Sequence, residues 1–227
     1  MKKIIRIGNG QGFWGDSVDA PINLVKGGPI DYLTLDYLAE VTLSIMQKQK
    51  LKNSRAGYAR DFIDLIRRIL PEIQTKGLKV INNAGGVNPL ACREELLHLA
   101  ESSGNKIKIG VIQGDDIYPD LQKLLNKGIS FNNIDTGESF NEVVNKVYSA
   151  NVYINSFTIS ESLEKGAQIV LAGRVSDPGL ALGPCIYEYG WKKDNYDLLA
   201  AGTLSGHITE CGAQCTGGNY TNWKDVP

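Results

Sequence analysis

The side chains best equipped for acid–base work lie near the end of the chain, at His207, Glu210, Cys211 and Cys215. Only two histidines exist. His98 falls mid-helix between Leu97 and Leu99 and reads as structural. That leaves His207 as the one imidazole for proton transfer near neutral pH. On a helix, positions 207, 211 and 215 share a face, and an imidazole with two thiols is a good zinc-ligand set. A single continuous helix cannot wrap three ligands tetrahedrally around one ion. A metal would therefore need a break at Gly212 and a fourth ligand from elsewhere. On the competing reading the cysteines are small core residues, His207 and Glu210 lie near a rim, and no metal is held.

Arg174 and Asp177 belong to the run Ala172-Gly-Arg-Val-Ser-Asp-Pro-Gly179. An arginine at a strand end can fork onto a carboxylate or phosphate. The same residues can instead close an internal Arg–Asp pair that stiffens the loop. If Arg174 anchors a ligand, Arg174→Ala is expected to abolish turnover and leave thermal stability nearly intact. Asp115 and Asp116 share a proton if they are buried together, or cap the following turn. A divalent cation between Asp16 and Asp115 would rest on residue type alone.

The stretch Arg6-Ile-Gly-Asn-Gly-Gln-Gly-Phe-Trp-Gly-Asp-Ser17 places glycines at 8, 10, 12 and 15 after a short apolar run, Ile4 to Ile7. Glycine lets a backbone approach a ligand closely. Gly10, Gly12, Trp14 and Asp16 are thus expected to floor a site, the bland alternative being a tight turn with buried rings. The dinucleotide fingerprint Gly-x-Gly-x-x-Gly is not met. Phe13 stands where the third glycine belongs, and Pro21 with Lys26-Gly-Gly-Pro29 argues against a helix opening there. No Walker loop and no Gly-x-Ser-x-Gly elbow occurs.

The elements that would position these residues alternate. Apolar spacing predicts helices over Asp31–Lys50, Arg60–Ile73 (with Pro71 ending or kinking its last turn), Ala91–Ala100, Leu121–Asn126, Ile159–Lys165 and Tyr196–Ala213. Thr158 and Glu161 have capping-box spacing. Strands are predicted at Ile4–Ile7, Leu78–Ile81, Ile107–Ile112, Val152–Ile154 and Ile169–Leu171, and a polar surface excursion over Gly128–Asn141. Strand, loop and helix in turn mean an α/β fold: a mostly parallel sheet with helices on both faces, Rossmann-like without the dinucleotide fingerprint. Ligands in such sheets bind beyond the carboxyl ends of the strands. The loops after Ile7, Ile81, Ile112 and Leu171 should bring Asp16, Ser17, Asn82, Asn83, Asn88, Asp115, Asp116, Arg174 and Asp177 to one rim.

Bulk properties narrow the function classes. The chain has 227 residues, a net charge of -1 and 22% charged residues, which does not suit an electrostatic nucleic-acid binder. No stretch approaches the roughly 20 apolar residues of a membrane span. The irregularly spaced Cys92, Cys185, Cys211 and Cys215, after a Met-Lys-Lys start with no apolar signal core, predict a cytoplasmic protein with reduced thiols.

Five blocks carry a family resemblance: Arg6 to Asp16, Ile30-Asp-Tyr-Leu-Thr-Leu-Asp-Tyr-Leu-Ala-Glu40, Asn82-Asn-Ala-Gly-Gly-Val-Asn-Pro89, Ala172 to Asp177, and Gly206-His-Ile-Thr-Glu-Cys-Gly-Ala-Gln-Cys-Thr-Gly-Gly-Asn219. In this order they resemble the acyclic terpene utilisation family AtuA, in its N-terminal domain, with residues 1–227 forming that one domain. The resemblance implies catabolism of acyclic terpenes and related branched acyl-CoA compounds, without a settled reaction or cofactor. Such proteins usually continue past the Gly-Gly-Asn block and often carry a small ferredoxin-like partner domain. A chain ending at Pro227 is then a split or truncated form, or a second polypeptide supplies the rest.

Two functions follow as expectations. One is a lyase or hydratase acting on a small-molecule carboxylic acid or CoA ester. Arg174, with Asp177, Asn82, Asn83, Gly10, Gly12 and Trp14, would bind it. His207, Glu210 and Asp16 would do the chemistry, moving a proton beside a carbonyl, and the Gly8 to Gly12 amides would hold an oxyanion. The other is a non-catalytic, oligomeric subunit that needs a partner chain.

Overall fold

The structure is a computed structural model, and it describes residues 4–212. Its elements in order are β1 (Ile7–Gln11), α1 (Asp19–Gly27), β2 (Tyr32–Leu35), α2 (Glu40–Lys52), α3 (Arg60–Thr75), β3 (Lys79–Asn82), α4 (Pro89–Ser102), β4 (Ile109–Val111), α5 (Leu121–Asn126), α6 (Phe157–Glu164), β5 (Ile169–Leu171), α7 (Gly179–Tyr189) and α8 (Tyr196–Glu210). The strands form one all-parallel sheet in the order β1-β2-β3-β5-β4. No helix among the described residues is long and apolar enough to cross a membrane.

Strand alternation builds two apolar layers. Leu33, Leu35, Val80, Ile169 and Leu171 point to one face and meet Ile22, Phe62, Leu65, Ile69 and Leu96 from α1, α3 and α4. Tyr32, Ile81 and Val170 point to the other face and meet Ile159, Leu163 and Leu180 from α6 and α7. The order of the strands explains the split. The chain steps in one direction from β1 to β4, skipping a slot, then turns back to place β5 in that slot. Right-handed crossovers put connections of opposite direction on opposite faces. At the carboxyl edge β3 thus leads to α4 on one face, while its neighbour β5 leads to α7, which packs beside the crossover helix α6 on the other. The gap between them is a topological switch point, where open α/β sheets bind ligands.

Several expected elements change. The helix expected over Asp31–Lys50 is a strand, a four-residue loop and then α2. β2 is buried along its whole length, so it lacks the alternation of a half-exposed strand, and its apolar residues coincide with helical spacing. Val41 and Ile45, whose spacing from Leu38 suggested an apolar helical face, are exposed. A helix, α1, does follow the first loop. Pro21 sits in its first turn, where no N–H is needed. The glycines Gly8 and Gly10 lie within β1, which runs to Gln11 rather than stopping at Ile7. α3 continues past Pro71 to Thr75. Val152–Ile154 is not a strand; Ile154 makes a single bridge to Val175. At the start of α6, Thr158 Oγ1 donates to the Asn155 carbonyl and Asn155 Oδ1 accepts from Phe157 N–H, in place of the expected capping box. The expected surface excursion is present as exposed loop with short 3-10 turns at Phe140–Glu142 and Val144–Lys146.

Candidate functional site

The centre of the site is a carboxylate that sequence reasoning missed. Asp36 follows β2 directly and is 4% exposed. Asn83, one residue beyond β3, fixes it. The Asn83 amide donates Nδ2–H to Asp36 Oδ1 at 2.7 Å, and Asn83 Oδ1 accepts from Tyr37 N–H at 2.6 Å. Leu38 N–H donates to the same Asp36 oxygen at 3.1 Å. Both hydrogen bonds fall on Oδ1, and Oδ2 has no hydrogen-bond partner among the described residues. Burial pushes the Asp36 carboxyl up to about 6, against the opposing pull of the Asn83 and Leu38 hydrogen bonds and of the Arg174 charge. The signal available in the sequence was the run Tyr32-Leu33-Thr34-Leu35-Asp36: an apolar strand ending in an acid, like the strand ends at Asn82–Asn83 and Arg174.

Asn82 is fully buried and committed to the sheet. Its Nδ2 donates to the Val170 carbonyl at 2.9 Å and its Oδ1 accepts from Ala84 N–H at 3.0 Å. It ties β3 to β5 and so sets the width of the switch point.

Arg174, two residues beyond Ala172 on the β5 side, has a side chain only 6% exposed. Nη1 donates to Asp177 Oδ1 at 3.0 Å and to the Val175 carbonyl at 3.2 Å. Nη2 donates to the Tyr153 hydroxyl at 3.3 Å and lies 3.6 Å from Glu40 Oε1. The guanidinium carbon also sits 4.7 Å from the centre of the Tyr153 ring, a cation–π geometry. The internal Arg174–Asp177 pair thus forms. Arg174→Ala would leave Asp177 and the buried Asp36 without this cation, so a loss of stability is to be expected where the sequence alone suggested little.

Asp115 and Asp116 are not buried together. Asp115 is buried and its Oδ2 accepts from Arg174 N–H at 2.9 Å and from Asn151 Nδ2 at 3.1 Å. Asp116 is exposed and caps a turn by accepting from Tyr118 N–H. A Cβ on Gly173 would come within 2.1 Å of Asp115 Oδ1, so only glycine lets the acid reach the backbone there.

The residues expected from the first loop are arranged differently. A Cβ on Gly10 would meet Pro21 Cβ at 2.5 Å, and one on Gly12 would meet the Cys211 carbonyl oxygen at 2.6 Å. These glycines admit α1 and the end of α8 against β1. The Gly12 N–H is taken by Asp16 Oδ2 at 3.2 Å, and Asp16 Oδ1 accepts from Ser17 N–H. Trp14 turns toward α3, donating its indole N–H to Asp61 at 2.9 Å. Gln11, fully buried, connects this loop to the centre. Its carbonyl accepts from Asp36 N–H at 3.0 Å, its Nε2 donates to the Asp16 carbonyl, and its Oε1 is buried without a partner.

α8 brings His207 and Glu210 toward the same edge. Its Gly206 packs on Pro178 and its last turn on Gly12. His207 is 67% exposed, with Nδ1 at 3.8 Å from the largely buried Glu210 carboxylate, which also accepts from Cys211 Sγ at 3.1 Å. Among the described residues no three His, Cys, Asp or Glu side chains gather as a metal site; Cys215 lies outside the described residues. A mostly apolar cavity of 670 Å3 opens beside β1, bounded by Gly8, Asn9, Leu24, Gly27, Thr209 and Gly212.

Fold and rim together define an all-parallel α/β protein with its polar cluster at the carboxyl ends of the central strands. The chain matches the model of the acyclic terpene utilisation family protein AtuA over residues 5–227, and it belongs to that family. Membership connects it with acyclic terpene utilisation. No curated protein and no solved structure matches it.

Proposed function

We propose that this AtuA protein is an enzyme of lyase or hydratase type acting on a branched carboxylic acid or its CoA ester. The observation that supports this most is Asp36: a buried carboxylate beside the switch point, held by one oxygen and unpaired at the other. A carboxyl raised to about 6 is a stronger base than an ordinary carboxylate and is still ionised at neutral pH, as a general base must be. Asp36 takes the proton from carbon next to the carbonyl. Asn83 holds Asp36 in place, and Arg174, backed by Asp177, receives the substrate's negative group. Glu210 with His207 returns a proton from the α8 side, and Asp16, through Gly12 and Gln11, sets the floor between them. Elimination or addition of water next to a carbonyl needs such a proton carrier and an anion anchor.

Deuterium incorporation tests the reading. In D2O the protein should exchange hydrogens next to the carbonyl of branched carboxylic acids or their CoA thioesters. Asp36→Asn, which keeps Oδ1 as the acceptor of both hydrogen bonds, should slow exchange about 10²-fold or more. Equal exchange by both proteins would sink it.

A second reading, an oligomeric subunit that needs a partner chain, is favoured by the outer face of α8. Gly202 and Gly206 face inward, and a Cβ on either would collide with Leu182, Trp191 or Pro178. Leu204 and Ile208, one helical turn apart, are 61% and 60% exposed. On this reading native mass spectrometry shows a complex that Leu204→Glu with Ile208→Glu dissociates. A monomer in both proteins would contradict it.

A further inference from the structure

Arg174 and Tyr153 form a two-donor pocket that a carboxylate already occupies, and the carboxylate is the protein's own. Glu40 Oε1 accepts from the Tyr153 hydroxyl at 3.0 Å and lies 3.6 Å from Arg174 Nη2. The two sides of this contact differ sharply. Arg174 is almost wholly buried and held from behind by Asp177 and the Val175 carbonyl, whereas the Glu40 side chain is 77% exposed. The donors are thus fixed and the acceptor is loose. Glu40 is also the first residue of α2, at the end of the short loop that begins with Asp36.

We propose that Glu40 is a placeholder at a carboxylate subsite formed by Arg174 and Tyr153, and that the substrate's carboxylate binds by displacing it. The inference rests on the function proposed above and extends it: it names the second binding residue, Tyr153, and the group that must leave. Tyr153 lies in the long connection between α5 and α6, beyond the polar excursion at its start, so that connection contributes a residue to the site. Its placement follows from the sheet: Asn151 is held by Asp115, which also holds the Arg174 backbone. The exchange is nearly balanced, since one carboxylate leaves as another enters. Exposed ion pairs are weak, and one competing intramolecularly should raise the apparent Kd of the incoming anion only about 2–6-fold. The own-chain hydrogen bond, Tyr153 and Arg174 all favour the ionised form of Glu40 and hold its carboxyl below the usual range. The placeholder therefore stays an anion across neutral pH.

Calorimetric titration with 3-methylbut-2-enoate and with its uncharged amide tests the proposal. Glu40→Ala and Glu40→Gln should bind the carboxylate about 2–6-fold more tightly than the wild-type protein, while neither gains for the amide. Tyr153→Phe, which keeps the ring on Arg174 but removes the donor, should bind the carboxylate more weakly. Unchanged or weaker carboxylate binding by both Glu40 variants would overturn the proposal, as would an equal gain for the amide, or no carboxylate binding by any of the proteins. The proposed reaction is judged separately, by hydrogen exchange in Asp36→Asn. A failed placeholder with that exchange lost leaves the reaction standing.

Discussion

The Asn83 side-chain amide donates to the Asp36 carboxylate across 2.7 Å, joining the ends of β3 and β2 at the middle of the sheet. The same amide accepts from the Tyr37 backbone, so Asn83 cannot turn without breaking a buried bond. The acid it holds stands next to the gap between β3 and β5, and the Arg174 charge favours its ionised form without offsetting the cost of burial.

Asp36→Asn should stabilise the protein at high pH. The folded-state carboxyl lies at about 6, above its ordinary 3.8. The folded state therefore binds the proton more tightly than the unfolded state, and stability is lost as pH rises from about 4 through about 6. A shift of about two pH units corresponds to about 3 kcal/mol. Above pH 7 the asparagine variant should recover up to this amount, a rise of about 6–12 °C in Tm for a chain of this size. Near pH 4 the two proteins should melt together. Thermal unfolding at pH 4 and pH 8 checks this.

Arg174→Ala should lower both activity and stability. It removes a buried cation with partners on Asp177, Val175 and Tyr153, a loss of about 1–3 kcal/mol. Without its charge the Asp36 carboxyl should also move higher, shifting the pH dependence of stability upward. Denaturant titration across pH measures both effects.

Gly173→Ala should loosen the connection between α5 and α6 that carries Tyr153. The added methyl displaces Asp115 from the Arg174 backbone and from Asn151, at a cost of about 1–3 kcal/mol for an overpacked site. Limited proteolysis should cut within residues 127–150 faster than in the wild-type chain. Unchanged cleavage would mean that Asp115 does not hold that segment.

The carboxyl-edge rim was legible wherever a short apolar run met a polar strand end. Val80-Ile81 before Asn82–Asn83 and Ile169–Leu171 before Arg174 gave both walls of the switch point, because β-branched runs bounded by glycine and asparagine read as strands. β2 was not legible. It is buried on both faces, so Tyr32 to Leu35 carries no alternation, and its spacing ran on into the true helix α2. Losing that strand hid Asp36, since only a residue at the carboxyl end of a strand is placed at the rim by the topology of the sheet. α7 was hidden by Gly183 and Pro184 inside it. The roles of glycine were also invisible. Gly10 and Gly12 read as ligand approaches, and the structure spends both on helix packing. For His207, no pattern along the chain could tell exposure from burial.

The pH dependence of hydrogen exchange next to the substrate carbonyl tests the central claim most directly, compared between the wild-type protein and Asp36→Asn. If Asp36 is the base, the wild-type kcat/KM rises with pH through about 6 and levels off above it, while the variant is slow and shows no such limb. A variant that keeps the same limb and the same rate would assign the proton transfer to another group and remove Asp36 from the chemistry.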